Sequence, residues 1–403
     1  MLNGKKIVVG LSGGIAAYKV CEVISRLFQE GAEVRVVLTD SAQRFITPLT
    51  VATLSRHPAY TDEDFWDSSH SRPVHIELGE WADLILLAPL TANTLAKVSL
   101  GLADTLLTNV MLASTCPVLV APAMNTDMWQ QFSVQSNWRK LLRDQRYHVL
   151  SPNSGLLACD RRGKGRMSEP TEILAATKAL IHSRGRKDLQ DVKVLVSAGG
   201  TREHFDPVRF IGNPSTGKMG LAIASAAAYR GAAVTVVHAP IEARLLENLP
   251  GMALFPVVSA AEMEQAVLSQ ADQFDWIILC AAVGDVRPQE QHDHKLAKSE
   301  LPSQLDLTEI PDIAAQLGQR KRADQKLIGF AAQTGDVTAL AFAKLQRKNL
   351  DAIAANAVDQ EGSGFAGETN QLIFIDREGR KATIPMAHKS AIAHHLLDFI
   401  RQL

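Results

Sequence analysis

Gly10-Leu-Ser-Gly-Gly-Ile-Ala-Ala17 follows at once on the β-branched run 6–10 and opens a helical pattern. A strand that turns through glycines into a helix is the opening βα unit of a parallel sheet. Its backbone N–H groups and the helix dipole make a place where a phosphate can be received. The glycine spacing is not G-x-G-x-x-G, so a mononucleotide suits the turn better than a nicotinamide dinucleotide, and a plain tight strand–helix turn is the competing reading.

The same alternation runs outward. Residues 33–39, 83–89 and 118–123 read as further strands between helical patterns. The polar, basic stretch 182–191 (HSRGRKDLQD) breaks the pattern, and a new strand starts at 192–197, which places a boundary near residue 190. Later strands read at 233–238, 276–280, 327–330 and 352–355, so two doubly wound α/β domains with mainly parallel sheets are expected over 1–190 and 191–403. Gly31-Ala-Glu-Val-Arg-Val-Val is echoed by Gly231-Ala-Ala-Val-Thr-Val-Val, through duplication or simply through a shared helix–Gly–strand joint. Residues 371–375, Asp376-Arg-Glu-Gly379 and 380–384 read as a hairpin on the sheet edge before a final helix.

Composition narrows the class. The 403 residues are 46% hydrophobic and 21% charged, an ordinary soluble balance. The longest apolar runs, 84–89 and 277–283, fall far short of the roughly 18–20 residues that span a bilayer. No signal peptide is read at the start, so no membrane contact and a cytoplasmic location are expected. Cys21, Cys116, Cys159 and Cys280 lie too far apart to suggest a disulfide framework or a zinc site. A net charge of −1 gives no electrostatic case for nucleic acid and leaves small anionic ligands open.

Three further segments of the first half carry chemistry. Val74-His-Ile-Glu-Leu78 puts a histidine ahead of the strand bearing Pro89-Leu-Thr-Ala-Asn-Thr94; Ala121-Pro-Ala-Met-Asn-Thr-Asp-Met-Trp129 and Gly155-Leu-Leu-Ala-Cys-Asp-Arg-Arg-Gly-Lys-Gly-Arg-Met167 follow. Taken singly, His75 reads as structural, Asn125 as a turn cap and Cys159 as core filler. In this order and spacing they resemble the flavin-dependent cysteine decarboxylase family, with its P-x-M-N-x-x-M-W motif and active-site flap. The resemblance implies a flavodoxin-like domain holding FMN. A cysteine carboxylate loses CO2 slowly because the carbanion has no electron sink, and the family first uses its flavin to oxidise the thiol-bearing carbon. It also implies His75 as base, Asn125 as the substrate-carboxylate ligand and Cys159 as proton donor to the product enethiol. Flavin contacts are expected from Ser12, Gly13, Thr39, Ser41, Thr91, Asn93, Thr94 and Ala123, which lie at strand C-terminal ends, where α/β sheets bind ligands. Thr39 and Ser41 read alternatively as caps of the next helix.

In the second half, residues 198–220 (AGGTREHFDPVRFIGNPSTGKMG) are too polar and Gly-rich for a plain βα connection. Gly217-Lys218 is not a P-loop ending: the upstream glycine spacing is missing and Met219 stands where Ser/Thr would hold magnesium. N–H groups near 215–217, at a helix start, remain suited to phosphate. With Cys280-Ala-Ala-Val-Gly-Asp285, Lys295-Leu-Ala-Lys298, Ile310-Pro-Asp-Ile-Ala314, Ile328-Gly-Phe-Ala-Ala-Gln-Thr334 and the basic helix 344–351, this half resembles the phosphopantothenate–cysteine ligase family, a Rossmann-like fold. That family activates a carboxylate as an acyl-nucleotide before the cysteine amine attacks. The resemblance implies Asn213 stabilising the acyl-nucleotide and Lys295 supporting its formation or breakdown. Ala281, Asp285, Lys295, Pro311, Asp312, Ile313, Ala314, Phe330, Lys344 and Lys348 would bind the nucleotide, CTP with Mg2+, whose protein ligands stay unassigned. Gly200 replaces the usual proline of A-G-P-T-R-E, which predicts a looser turn; Ala297 thins the lysine cluster, and Ile310 and Gln333 replace Asn and Glu.

Together the two halves resemble a bifunctional family of coenzyme A biosynthesis. Its substrates would be 4′-phosphopantothenate, cysteine and CTP, and its members are homo-oligomers with flavin sites between subunits of trimers and ligase halves paired as dimers. Three other readings compete: a decarboxylase whose second half only binds nucleotide or oligomerises, a flavin-binding regulator that has lost its chemistry, and a decarboxylase of peptide C-terminal cysteines.

Overall fold

The computed structural model describes the chain apart from residues 70, 158–159, 248, 334–336 and 358–366. Two compact units divide it, Met1–Arg186 and Lys187–Leu403.

In the first unit, β1 (Lys6–Leu11), β2 (Glu33–Leu38), β3 (Leu84–Leu90), β4 (Val118–Pro122) and β5 (Tyr147–Val149) form a parallel sheet in the order β2-β1-β3-β4-β5. Continuous apolar runs such as Leu-Ile-Leu-Leu-Ala-Pro-Leu in β3 are buried throughout, as a sheet covered on both faces requires. The helix Ala17–Gln29 buries Val20, Val23, Ile24 and Leu27, one stripe at three- and four-residue spacing. Strand order reverses at β1, so the turns after β1 and β3 diverge and leave a crevice at the sheet's carboxyl edge. A hairpin of β6 (Asn153–Leu156) and β7 (Arg162–Arg166) follows β5.

The second unit centres on β8 (Lys193–Ala198). It carries two short antiparallel ribbons, β9 (Arg202–His204) with β10 (Phe210–Gly212), and β14 (Val286–Pro288) with β15 (Leu307–Glu309). The main sheet adds β11 (Ala233–His238), β12 (Ala253–Pro256), β13 (Trp276–Leu279), β16 (Lys326–Gln333), β17 (Ala352–Ala357), β18 (Thr369–Asp376) and β19 (Lys381–His388). Its order is β12-β11-β8-β13-β16-β17-β18-β19, parallel except for the last two strands. The edge hairpin is longer than its sequence suggested; Asp376 Oδ1 accepts the N–H groups of Glu378 and Arg380, and Gly379 takes φ +84° at the turn. Apolar clusters cover both faces of this sheet.

The echo between the halves is the same joint twice. Gly31 and Gly231 close the helices Ala17–Gln29 and Lys218–Tyr229 at φ +88° and +99°, and β2 and β11 then pair in register with β1 and β8. Among the described residues, no helix is long and apolar enough to cross a membrane.

Two candidate active sites at the strand ends

The first unit holds a cavity of about 1020 Å3 at the carboxyl ends of β1, β3 and β4. Gly13, Thr39, Ser41, Thr91, Asn93, Thr94, Ala123 and Asn125 line it. A Cβ on Gly13 would overlap Ser41, so only glycine lets the first turn meet the second. Thr39 and Thr91 both line the cavity and cap helices: Thr39 Oγ1 accepts the N–H of Ala42 at 3.3 Å, and Thr91 Oγ1 that of Thr94 at 3.5 Å. Asn125 likewise does both, its Oδ1 accepting the N–H of Asp127 at 2.8 Å.

Ser12 ties two turns together through its side chain. It is buried and outside the cavity lining, its Oγ donating to the Pro89 carbonyl at 2.5 Å and accepting the Thr91 N–H at 3.0 Å, so it staples the β1 turn to the β3 turn. His75 also lies outside this lining. It is the second residue of the helix Val74–Trp81, edge-on to Phe65 at 5.3 Å, and its buried Nδ1 has no hydrogen-bond partner among the described residues. Cys159 lies outside the described residues.

The 6–7 hairpin forms one wall of the cavity through Leu156, Leu157, Gly165 and Arg166. It lies flat on the Asn125 loop because Gly163 and Gly165 carry no side chains: a Cβ on Gly163 would overlap Thr126, and one on Gly165 the Met124 carbonyl. The Met124 N–H donates to the Gly165 carbonyl at 3.0 Å. Lys19 and Asp62 are among the lining residues that the sequence reading did not single out. Glu169, outside the lining, holds Lys19 at 2.9 Å and Arg166 at 2.8 Å. Burial raises the Asp62 carboxyl above its usual range although it accepts the Leu106 N–H at 2.7 Å. Nothing in the unpatterned stretch around residue 62 signals this.

The second unit has a cavity of about 490 Å3 where the turns after β8, β13 and β16 meet. Asn213, Ala281, Asp285, Pro311, Asp312, Ile313, Ala314, Phe330, Lys344 and Lys348 line it. The helix Lys218–Tyr229 points its N-terminus there, capped by Gly217 at φ +76°, where a Cβ would overlap Ile241. Asn213 Nδ2 donates to the Val283 carbonyl at 3.4 Å. Asp312 caps the helix Ile313–Arg320 and pairs with Lys348 at 2.7 Å, so one of the three lysines expected at the nucleotide already has a carboxylate partner. Burial works to raise Asp312, but Lys348 and the Ala315 N–H outweigh it and hold the carboxyl below its usual range. Burial first, and Lys348 next, lower Lys344.

Lys295 is exposed and outside this lining, as is Lys298; their segment is tied to the turn at Asp206, whose Oδ2 accepts the Leu296 N–H at 3.4 Å. Sequence reasoning missed Lys389 and Asn370 in the lining. There Lys389, lowered by burial and by Lys218, stands near Asn370 and Cys280, whose thiol burial pushes up to about 12. Among the described residues no three His, Cys, Asp or Glu side chains cluster as metal ligands.

A family model described as "Flavoprotein" matches residues 1–182, and one described as "DNA/pantothenate metabolism flavoprotein C-terminal domain" matches residues 189–403. The chain is 43% identical over 404 residues to the coenzyme A biosynthesis bifunctional protein CoaBC of Bacillus subtilis, covering 100% of this chain and 98% of the relative. It is 40% identical over 402 residues to the protein of the same name from Escherichia coli K12, covering 99% and 97%. A solved C-terminal domain of CoaBC is 35% identical over 53% of this chain and 97% of its own, with a TM-score of 0.45. With both halves matched in order and relatives covered almost end to end, the chain belongs to the family of coenzyme A biosynthesis bifunctional enzymes, which join a phosphopantothenoylcysteine decarboxylase to a phosphopantothenate–cysteine ligase.

Proposed function

We propose that the second unit joins 4′-phosphopantothenate to cysteine at the expense of CTP, and that the first unit, holding FMN, decarboxylates the product to 4′-phosphopantetheine. The observation that supports this reading is that each half has its own strand-end cavity, lined in the first by Asn125 and in the second by Asn213. In the ligase step the substrate carboxylate attacks the α-phosphorus of CTP, pyrophosphate leaves, and the cysteine amine then displaces CMP. The helix N-terminus at Lys218 and the Lys344 ammonium suit the anionic phosphates, and Asn213 faces the space where the acyl-cytidylate would form. Magnesium arrives on the nucleotide as part of the substrate, because the two nearby carboxylates are Asp285 and the Lys348-paired Asp312. Lys295 serves this site only if its segment is brought to the cavity.

The side-chain-free turn at Gly13, the hydroxyls of Thr39, Ser41 and Thr91, and the apolar Met124, Met128 and Leu157 fit a phosphate and a flat ring. A flavin bound there supplies the electron sink that a cysteine carboxylate lacks. Asn125 holds the carboxylate, and His75 and Cys159 move protons. Trp66 and Phe132, 82% and 79% exposed, and the His75 Nδ1 that has no partner among the described residues support a homo-oligomer that completes the flavin site. The free thiols of Cys21, Cys116 and Cys280 accord with a cytoplasmic setting.

Mass spectrometry of the purified full chain with 4′-phosphopantothenate, cysteine, magnesium and CTP tests the whole sequence, alongside a visible spectrum for flavin. A yellow protein that accumulates 4′-phosphopantetheine is expected. Product that forms only when phosphopantothenoylcysteine is supplied would reduce the protein to a decarboxylase.

A further inference from the structure

The ligase cavity is approached from both faces of its sheet. The helices Ile313–Arg320 and Val337–Arg347 pack on one face, and the helices Lys218–Tyr229 and Lys389–Ile400 on the other. Each face brings two lysines to the lining. Lys344 and Lys348 come with the first pair of helices, beside Asp312. Lys218 and Lys389 each begin one helix of the second pair. Lys389 is 4% exposed; burial and Lys218 oppose its charge, and Glu368 favours it. Glu368 is itself paired with Lys218, and its backbone carbonyl accepts the Lys389 N–H at 2.9 Å. Two ammonium groups and the N-terminus of a 12-residue helix thus share the Glu368 carboxylate. A buried cation needs compensating negative charge, and cations gathered at a helix N-terminus suit a polyphosphate.

We propose that Lys389 binds the β- and γ-phosphates of CTP, so that pyrophosphate departs on the side of the cavity where the helices Lys218–Tyr229 and Lys389–Ile400 begin; this rests on the CTP-dependent ligase reading above. The chain order supports this placement. Ser215, Thr216 and Gly217 line the cavity between Asn213 and Lys218, so one loop leads from the position of the acyl-cytidylate to the Lys218–Lys389 pair. The chemistry requires a cation there. As the substrate carboxylate bonds to the α-phosphorus, the bond from that phosphorus to the bridging oxygen breaks, and its electron pair stays with the pyrophosphate. An ammonium beside the leaving group gains most as that charge develops, and its charge-assisted hydrogen bonds are strongest where water is excluded. Lys344 meets the nucleotide from the opposite face of the sheet, on the side of its α-phosphate. The triphosphate is then held from both faces, with Lys389 reserved for the part that leaves.

The test measures binding of CTP, CMP and inorganic pyrophosphate to the full-length protein by titration calorimetry in magnesium, comparing wild type with Lys389→Met and Lys389→Gln. The wild type should bind CTP more tightly than CMP. Each variant should lose about tenfold in affinity for CTP and for pyrophosphate while keeping its affinity for CMP, and its ligase kcat/KM for CTP should fall by at least as much. Affinities for CTP and pyrophosphate that match the wild type in both variants overturn the assignment. So does an equal loss for CTP and CMP, including loss of all binding in both variants, because Lys389 then holds the cavity's shape rather than the leaving group. In either case the ligase reading stands on the wild-type protein. A wild-type protein that neither binds CTP nor ligates with it overturns that reading, and the assignment with it.

Discussion

At Gly200 the chain passes so close to Asn213 that a Cβ would overlap the Asn213 carbonyl. The turn is not loose, as the missing proline suggested. The Ala282 N–H donates to the Gly199 carbonyl at 2.8 Å, the Thr201 N–H to that of Ala282 at 3.3 Å, and the Gly284 N–H to Thr201 Oγ1 at 3.0 Å. Glycine here lets the Asn213 segment settle against a tied turn. Gly200→Ala is therefore expected to lower ligase kcat/KM roughly 10- to 100-fold by displacing Asn213, with decarboxylation of supplied phosphopantothenoylcysteine as the internal control; equal ligase rates would show that Asn213 does not depend on this contact. Lys344 makes a second residue-level case. Its pKa lies below the ordinary lysine value through burial and Lys348, and nucleotide phosphates favour its charged form. CTP affinity should thus hold below the lowered pKa and fall as pH rises through it, at a lower pH than an ordinary lysine would give. Lys344→Arg, which stays charged, should remove that alkaline rise in the KM for CTP, and a rise that persists would assign it to another group.

The 6–7 hairpin shows at the scale of an element why two glycines alternate with cations. Gly165, at φ +150° in a bulge, and Gly163 let β7 lie on the Asn125 loop. Gly165→Ala should lift the strand and lower decarboxylase kcat/KM at least tenfold while visible flavin absorbance and ligase rate persist; loss of bound flavin instead would mean that the hairpin holds the cofactor pocket rather than the substrate. The longer parallel strands and the glycine-rich turns at their ends were legible in the sequence because β-branched runs and Gly-rich turns report local geometry, whereas β5, β12 and the short ribbons were not. Thr39, Thr91 and Asn125 show the limit: each is at once a cap and a cavity residue, so the two readings of a short polar side chain were never exclusive. The staple that Ser12 makes was not legible, because its partners, Pro89 and Thr91, lie 77 and 79 residues away and no local pattern announces them. His75 and Lys295 were placed at sites by motif alone, and motif order carries no distance.

Taken whole, the molecule is two cores joined through the stretch around 187–191, which the ligase unit uses as structure. Arg230 is 1% exposed and grips Asp188 with Nε at 2.8 Å and Nη2 at 2.6 Å, while donating to the His394 carbonyl and pairing with Asp398 at 2.7 Å. Arg401 reaches the same Asp188 carboxylate at 2.6 Å. A buried guanidinium that loses a bidentate partner keeps its desolvation cost without the compensating charge, about 3 kcal/mol in such settings. The connecting stretch is thus a fastening of the second core. A fragment 187–403 should fold and ligate with CTP, whereas Asp188→Asn in that fragment should move its denaturant midpoint down without changing the slope of the transition. The same substitution in the full chain should leave decarboxylation of supplied phosphopantothenoylcysteine intact. If fragment 187–403 instead fails to fold while the full chain ligates, the ligase core depends on the flavoprotein half for more than tethering, and the two units are not energetically separable.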